Sequence, residues 1–346
     1  MRTPAPFTVV KLLLVGAVAA LVAILPRFLG EFRLSQFTYV AIYFIALLGL
    51  NILSGYNGQI SLGHGAFVAV GAYTTAILSL GRPGLEALTL APPDWLPLGD
   101  GMRSVLTIPI AGLVAGLAGY LFGFPALRLA GVSLALATFA VAVSLPSVAK
   151  RFEDVTGGGG GLILSLPITP FGLDVSTPHW LYYEAWVTAA VLFAAAWLLL
   201  RGRAGRALRA LRDGEVAAAS SGVSPAAYKT FAFGLSSAYA GVAGALLAIN
   251  VSYVNPDAFP VTLSILFLAS VVLGGLSSLT GALLGAFVME FLPIYAQNPP
   301  LVSELSKQAP AVTFGIILVV MMFFAPSGLA GLLRRFGGLL LPGSNR

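Results

Sequence analysis

The sequence predicts an all-α integral membrane protein of about ten transmembrane helices, in two weakly related halves that carry interrupted, glycine-rich segments. Three observations carry this. Of the 346 residues, 58% are hydrophobic and only 9% charged, where a soluble domain has about 25% charged residues. Ten stretches approach the roughly 20 apolar residues that a helix needs to cross a bilayer. Glycine reaches 40 residues, a composition that suits close helix–helix contact in lipid. There is no cysteine, so neither disulfides nor thiol chemistry enter. The formal charge of +6 fits basic cytoplasmic loops better than nucleic-acid binding in so apolar a chain.

The spans fall at about 8–25, 35–53, 60–80, 105–122, 131–149, 183–200, 229–250, 260–278, 280–297 and 310–325. The first is read as an uncleaved span, because its apolar run leads straight into further spans. Charge orients them. Residues 201–229 hold six basic side chains, Arg201, Arg203, Arg206, Arg209, Arg212 and Lys229, and so belong in the cytoplasm by the positive-inside rule. One side switch per span then puts both termini inside. It leaves twelve of the 19 Lys and Arg residues inside with only Asp213 and Glu215, and ten acids outside, counting Glu184 at the outer edge of the span 183–200, with Glu290 as the only other acid within a span. The expected location is the inner (cytoplasmic) membrane.

The outer loops fit this plan. Residues 81–104 are rich in proline and glycine, and 150–182 contain "TGGGGGLILSLPITPFGL". In "STPHWLYYEAW", Thr177 is the expected N-cap and Pro178 the first helical residue. Trp180, Tyr182, Tyr183 and Trp186 read as an interfacial aromatic belt.

The cytoplasmic stretch "RGRAGRALRALRDGEVAAASSGVSPAAYKTFAF" (201–233) carries most information. Arg206, Arg209 and Arg212 recur every three residues and share one helix face, with Leu208 and Leu211 on another. Gly214 breaks that helix. A second short helix runs from Glu215 to Ser221, with Gly222 just past its end. Ser224 caps the next helix and Pro225 takes its first turn. A compact helical element of this kind suits a basic helix lying on anionic lipid. It equally suits a docking element, for which Ala217, Ala218 and Ala219 would allow close approach of a partner.

Here a resemblance enters. "GRALRALRDGEVAAASSGV" followed by "KTFAFGLSSAYAGVAGAL" resembles the coupling region of branched-chain amino-acid ABC importer permeases of the LivM and LivH type, LivM above all. The family pattern Glu-x-Ala-Ala-x-x-x-Gly falls on Glu215, Ala217, Ala218 and Gly222. "GLNILSGYNGQISLGHGAFVAVGAYTTAIL", "VTGGGGGL" and "NPDAFPVTLSILFLASVVLGGLSSLTGALLGA" are similar too, so the likeness covers most of residues 35–330. The run Gly157 to Gly161 departs from it, since members usually have a polar residue or proline among these glycines.

The resemblance implies a single permease domain over 1–346, with halves at about 35–150 and 229–330 and a coupling loop at 201–228. In such a loop Arg206, Arg209, Arg212, Asp213, Glu215, Ala217, Ala218 and Gly222 would meet the ATP-binding subunit. The implied partners are two cytoplasmic ATP-binding subunits, a second homologous permease (a distinct one or a second copy), an extracytoplasmic solute-binding protein and membrane lipid. The implied mechanism is alternating access. Members differ in solute, so branched-chain amino acids, other amino acids, urea, amides and small organic acids all fit.

The stretch "GQISLGHGAFVAVGA" has a faint echo in "GGLSSLTGALLGAFV". Ser61-Leu62 corresponds to Ser278-Leu279, and Gly71-Ala72 to Gly285-Ala286. Broken helices at matching places in two halves mark the central pathway of many transporters, and irregular backbone at membrane depth survives only inside protein or beside water. Asn51, Asn57, Gln59, Ser61, His64, Gly274, Gly275 and Ser278 are therefore candidates for the pathway or its gate. The same glycines also suit plain helix packing, and His64 suits a structural hydrogen bond.

Other functions are disfavoured. No G-x-x-x-x-G-K-[ST] loop, H-E-x-x-H pair or nucleophile elbow is present, so the chain binds no ATP by that motif and an enzyme is not expected. No cofactor or metal is expected within the chain. An ion-coupled secondary transporter is the alternative, but it would have only Glu290 and His64 for ion coupling.

Overall fold

The computed structural model describes residues 22–80, 104–126, 129, 131–164, 176–297, 315–316, 319–320 and 328–333. Eight long helices occupy eight of the ten expected spans. They are α1 (Glu31–Leu50), α2 (His64–Ser79), α3 (Ser104–Ala126), α4 (Val132–Arg151), α6 (Thr177–Arg201), α9 (Pro225–Val251), α10 (Val261–Gly274) and α11 (Leu279–Gln297). Short helices α5 (Glu153–Thr156), α7 (Arg203–Asp213) and α8 (Glu215–Ser220) connect them. The spans expected at 8–25 and 310–325 fall almost wholly outside the described residues. Among the described residues, six helical segments are long and apolar enough to cross a membrane, and two more, His64–Ser79 and Leu279–Tyr295, are shorter and apolar.

The helices run alternately between two ends. At the basic end, Gly55, Arg212 and Ser277 meet. At the other, Lys150 pairs with Asp257 at 2.7 Å, and β1 (Leu162–Ile163) pairs antiparallel with β2 (Tyr253–Val254). The expected alternation of sides requires both of these groupings. The glycine run supports the ribbon: Gly157, Gly158 and Gly161 have φ of +71°, +56° and +70°, where side chains are strained. A Cβ at Gly159 or Gly160 would meet nothing, so only part of the run requires glycine.

Two helices form the centre. Most of α1 and α9 is buried inside the fold, while α3, α4 and α6 expose long apolar faces. Lipid does not drive apolar helices together, so contact depends on how closely the backbones approach. Gly112, Gly116, Gly119 and Gly123 make a stripe along α3, and each faces α9. On the opposite side of α9, a Cβ at Gly244 would collide with the Val68 carbonyl of α2. The side chains between these close contacts interlock, as where Phe67 meets Phe122 and Phe233 edge-on.

Three sequence expectations are corrected. The N-cap of α6 is Ser176, not Thr177. Tyr182 is fully buried, donating its hydroxyl to the Val22 carbonyl at 2.9 Å, so it packs inside the fold and does not belong to an aromatic belt. Glu184, counted among the outer acids, lies in the second turn of α6, buried beside Trp180. The span drawn at 183–200 starts too late. The cap signal at 176–178 marks the true start and moves this acid from the outer edge of the span to the second turn of the helix.

Gly244→Ala should therefore destabilise the protein by about 1–3 kcal/mol, the usual cost of overpacking. Thermal unfolding in detergent should report a lower midpoint for it and an unchanged one for Gly159→Ala.

Candidate functional site

At the basic end, two helix breaks face each other. The first follows α1. Its last turn widens into a π-helical segment, Asn51–Tyr56, and residues 57–63 then run without helix to α2. The second is the turn after α10, where Gly274 ends the helix, Gly275 has φ +119° and Ser277 has φ +59°. Both breaks lie where the sequence pattern placed them, although helix α2 begins at His64 and α10 ends at Gly274, each four residues short of the expected bound.

Asn51 joins the two breaks. Its amide Nδ2 donates to the Ser278 carbonyl at 2.8 Å, and its Oδ1 accepts from the Ser277 N–H at 2.9 Å. The Ser277 hydroxyl donates to the Gly55 carbonyl at 2.6 Å. A Cβ at Gly55 would collide with Asn51 Oδ1, so glycine is required for the two breaks to touch. The positive φ of Ser277 is strained for a non-glycine residue and persists because its surroundings over-determine it.

The remaining candidates on the first break are buried and bonded locally. Asn57 donates to Gln59 Oε1 at 2.6 Å, and the Gln59 N–H bonds the Leu53 carbonyl at 3.1 Å. The Ser61 hydroxyl accepts from the Gly63 N–H. His64, 1% exposed, contacts the Ala46 carbonyl through Nε2 at 2.9 Å and stands edge-on to Phe267. Ser278 receives the Gly281 N–H at the start of α11. Gly274 lies against the Gly281 carbonyl.

The basic loop docks beside the breaks. Helix α7 buries Ala207, Leu208 and Leu211, the apolar face its spacing predicted. Arg206 is exposed, and Arg209 donates to the Leu200 carbonyl at 3.3 Å. Arg212 turns inward: its Nη1 donates to the Gly55 carbonyl at 3.1 Å and to Ser277 Oγ at 2.7 Å, while its Nε donates to Asp213 at 2.9 Å. Helix α8 is tied to α9 by the pair Glu215–Lys229 at 2.6 Å. Gly222, with φ +85°, follows its end, and Ser224 caps α9 by accepting the Ala227 N–H. Ala218 is buried, whereas Val216 (82% exposed), Ala217 and Ala219 face outward.

Asn51, Arg212, Gly274, Gly275 and Ser278 thus converge. Arg206, Glu215, Ala217 and Gly222 have no hydrogen bond to either break. Sequence reasoning passed over Gly55 and Ser277, and also over two hydroxyls that secure the first break: Thr138 Oγ1 accepts the Leu62 N–H, and Ser264 Oγ the Gly65 N–H. A lone Thr or Ser within an apolar span gives no signal of that kind.

Toward the other end, an apolar cavity of about 250 Å³ opens between α1, α2, α9 and α10, lined among others by Ile42, Val68, Leu247, Phe259 and Phe267. The Ala46 carbonyl bonded by His64 belongs to a residue of its wall.

Comparison with known proteins gives these features their context. Residues 32–326 match the family described as branched-chain amino acid transport system / permease component. The chain belongs to this family. It is 32% identical over 350 residues to the high-affinity branched-chain amino acid transport system permease protein LivM of Escherichia coli (strain K12), covering 94% of this chain and 76% of that one. It is 26% identical to the probable branched-chain amino acid transport permease protein LivH of Methanocaldococcus jannaschii, over 90% of this chain and 96% of the other. A shorter match, 38% identical over 31% of each chain, is to the autoinducer 2 import system permease protein LsrC of Klebsiella pneumoniae. No solved structure matches the chain. The protein is therefore a multi-pass membrane permease subunit of an ABC importer of the LivM type, and the ion-coupled alternative is not favoured.

Replacing Asn51 with Leu takes the acceptor from the part-buried Ser277 N–H and one of its donors from the Ser278 carbonyl, which keeps the Ala282 N–H, at about 1–3 kcal/mol for an unsatisfied group. Asn51→Leu should lower the unfolding midpoint and the solute uptake of the assembled transporter together, as measured on purified protein and in proteoliposomes.

Proposed function

We propose that this permease carries a small aliphatic amino acid inward across the cytoplasmic membrane by alternating access, driven by two separate ATP-binding subunits. The observation that carries this reading is the rigid basic loop at 201–228. It is docked against both helix breaks on one side and offers Val216, Ala217 and Ala219 on the other. Small apolar side chains exposed in a basic loop suit protein docking better than a lipid surface. Arg206, Asp213, Glu215 and Gly222 frame this surface, with Ala218 packed beneath it.

The orientation follows from charge: the loop lies in the cytoplasm and both termini with it. A solute-binding protein then delivers solute to the opposite end, where the acids concentrate. The apolar cavity there, about 250 Å³, suits an aliphatic side chain, as do the printed functions of the LivM and LivH relatives. The LsrC relative, named for autoinducer 2 import, indicates how far solutes diverge within similar permeases. A second permease, distinct or identical, covers part of the exposed apolar face of α3, α4 or α6, and lipid covers the rest. The halves at about 35–150 and 229–330 each contribute one break, and Asn51, Asn57, Gln59, Ser61, His64, Gly274, Gly275 and Ser278 form the gate between them.

Affinity purification in mild detergent with mass spectrometry tests the assembly. Recovery of an ATP-binding subunit and a second permease is expected. A chain that purifies alone and moves solute in liposomes without ATP would overturn the reading. Within the complex, Glu215→Lys puts two cations where Glu215 and Lys229 now pair, and Gly222→Leu strains a positive φ by about 1 kcal/mol or more. Both variants should remain in the membrane yet lose ATP-driven uptake of radiolabelled leucine.

A further inference from the structure

The Arg212 side chain is 34% exposed, and its guanidinium bonds the permease itself. Its stem crosses Gly58, where a Cβ would lie 2.9 Å from Arg212 Cγ, and φ is +75°. One nitrogen reaches two elements at once: the Gly55 carbonyl at the end of the α1 segment and the Ser277 hydroxyl in the turn after α10. The hydroxyl in turn donates to the same carbonyl, so the three groups close a triangle. A cation at the carbonyl end of a helix is favourable, and bonds to a charged donor are stronger than neutral ones. Asp213 holds the far side of the guanidinium and fixes its plane.

We propose that Arg212 is a positioning residue of the transport cycle: it links helix α7 of the loop at 201–228 to both helix breaks, so that displacement of α7 moves the Gly55 and Ser277 segments together. This rests on the importer reading above and extends it. Helix α7 buries three apolar side chains against the permease, so it moves as a body and not as a free strand. The Asn51 bonds to Ser277 and Ser278 join the breaks to each other and transmit the pull. A lysine would not replace the arginine fully, since a point charge cannot hold the Gly55–Ser277 pair and Asp213 in one plane.

The test uses the complete complex of permease, partner permease and ATP-binding subunits in proteoliposomes, with binding protein and radiolabelled leucine. ATP hydrolysis and uptake are measured on the same preparations. Arg212→Ala should assemble and hydrolyse ATP, while uptake per ATP falls about tenfold, the scale of one charge-assisted hydrogen bond. Arg212→Lys should recover part of this. Ser277→Ala should lower uptake per ATP less, and adding it to Arg212→Ala should cost little more, because both remove the same link. Unchanged uptake per ATP in Arg212→Ala would overturn the proposal. So would loss of the ATP-binding subunit from that variant, which would make Arg212 a docking contact. If Arg212→Ala does not fold, Ser277→Ala decides by the same two readings. A wild-type complex that does not form, or that moves solute without ATP, would instead refute the importer reading.

Discussion

Everything at the basic end depends on one constraint: a helix that stops inside a membrane protein leaves backbone groups with no water to satisfy them. Here α1 ends in a π-helical segment and a largely buried, non-helical stretch, and several of the freed groups find specific partners. Asn51 supplies a donor and an acceptor to the opposite turn, Ser277 and Arg212 take up the Gly55 carbonyl, and Thr138 and Ser264 accept the N–H groups of Leu62 and Gly65. The polar residues that look out of place in an apolar sequence are those that make the break possible.

The break also needs a firm frame. That frame is α9, clasped by the glycine stripe of α3 on one side and by α2 on the other, so closely that no added Cβ fits at Gly244 or Gly71. Small residues let backbones touch and dispersion contacts accumulate where the hydrophobic effect does not act. The most buried helices therefore lie at the centre, and the helices with exposed apolar faces lie outside.

The basic loop packs against this frame. Helix α7 carries its apolar side chains into the fold and bonds both breaks through Arg212, while α8 buries Ala218 and pairs Glu215 with Lys229. In that pair the Lys229 side chain is only 14% exposed, so α8 as well as α7 is held against the fold. A loop bonded to both breaks is suited to the coupling role proposed for it.

Much of this was legible in the sequence, because membrane proteins obey a few strong rules. Hydropathy located eight helices within a few residues, charge predicted which loops share an end, and glycine with Asn and Ser marked the two breaks. The loop at 201–228 followed from helical spacing and from Gly214, Gly222 and Ser224. Span starts were less legible: Glu184 was misplaced because a helix can begin with polar residues well before its apolar run. Partner choice was not legible at all. That Asn51 reaches Ser277 and Ser278, more than 220 residues away, that Tyr182 turns inward, and that Arg212 faces the permease were decided by tertiary structure. Periodicity places a side chain on one face of a helix, and only the packing of several helices decides what that face meets.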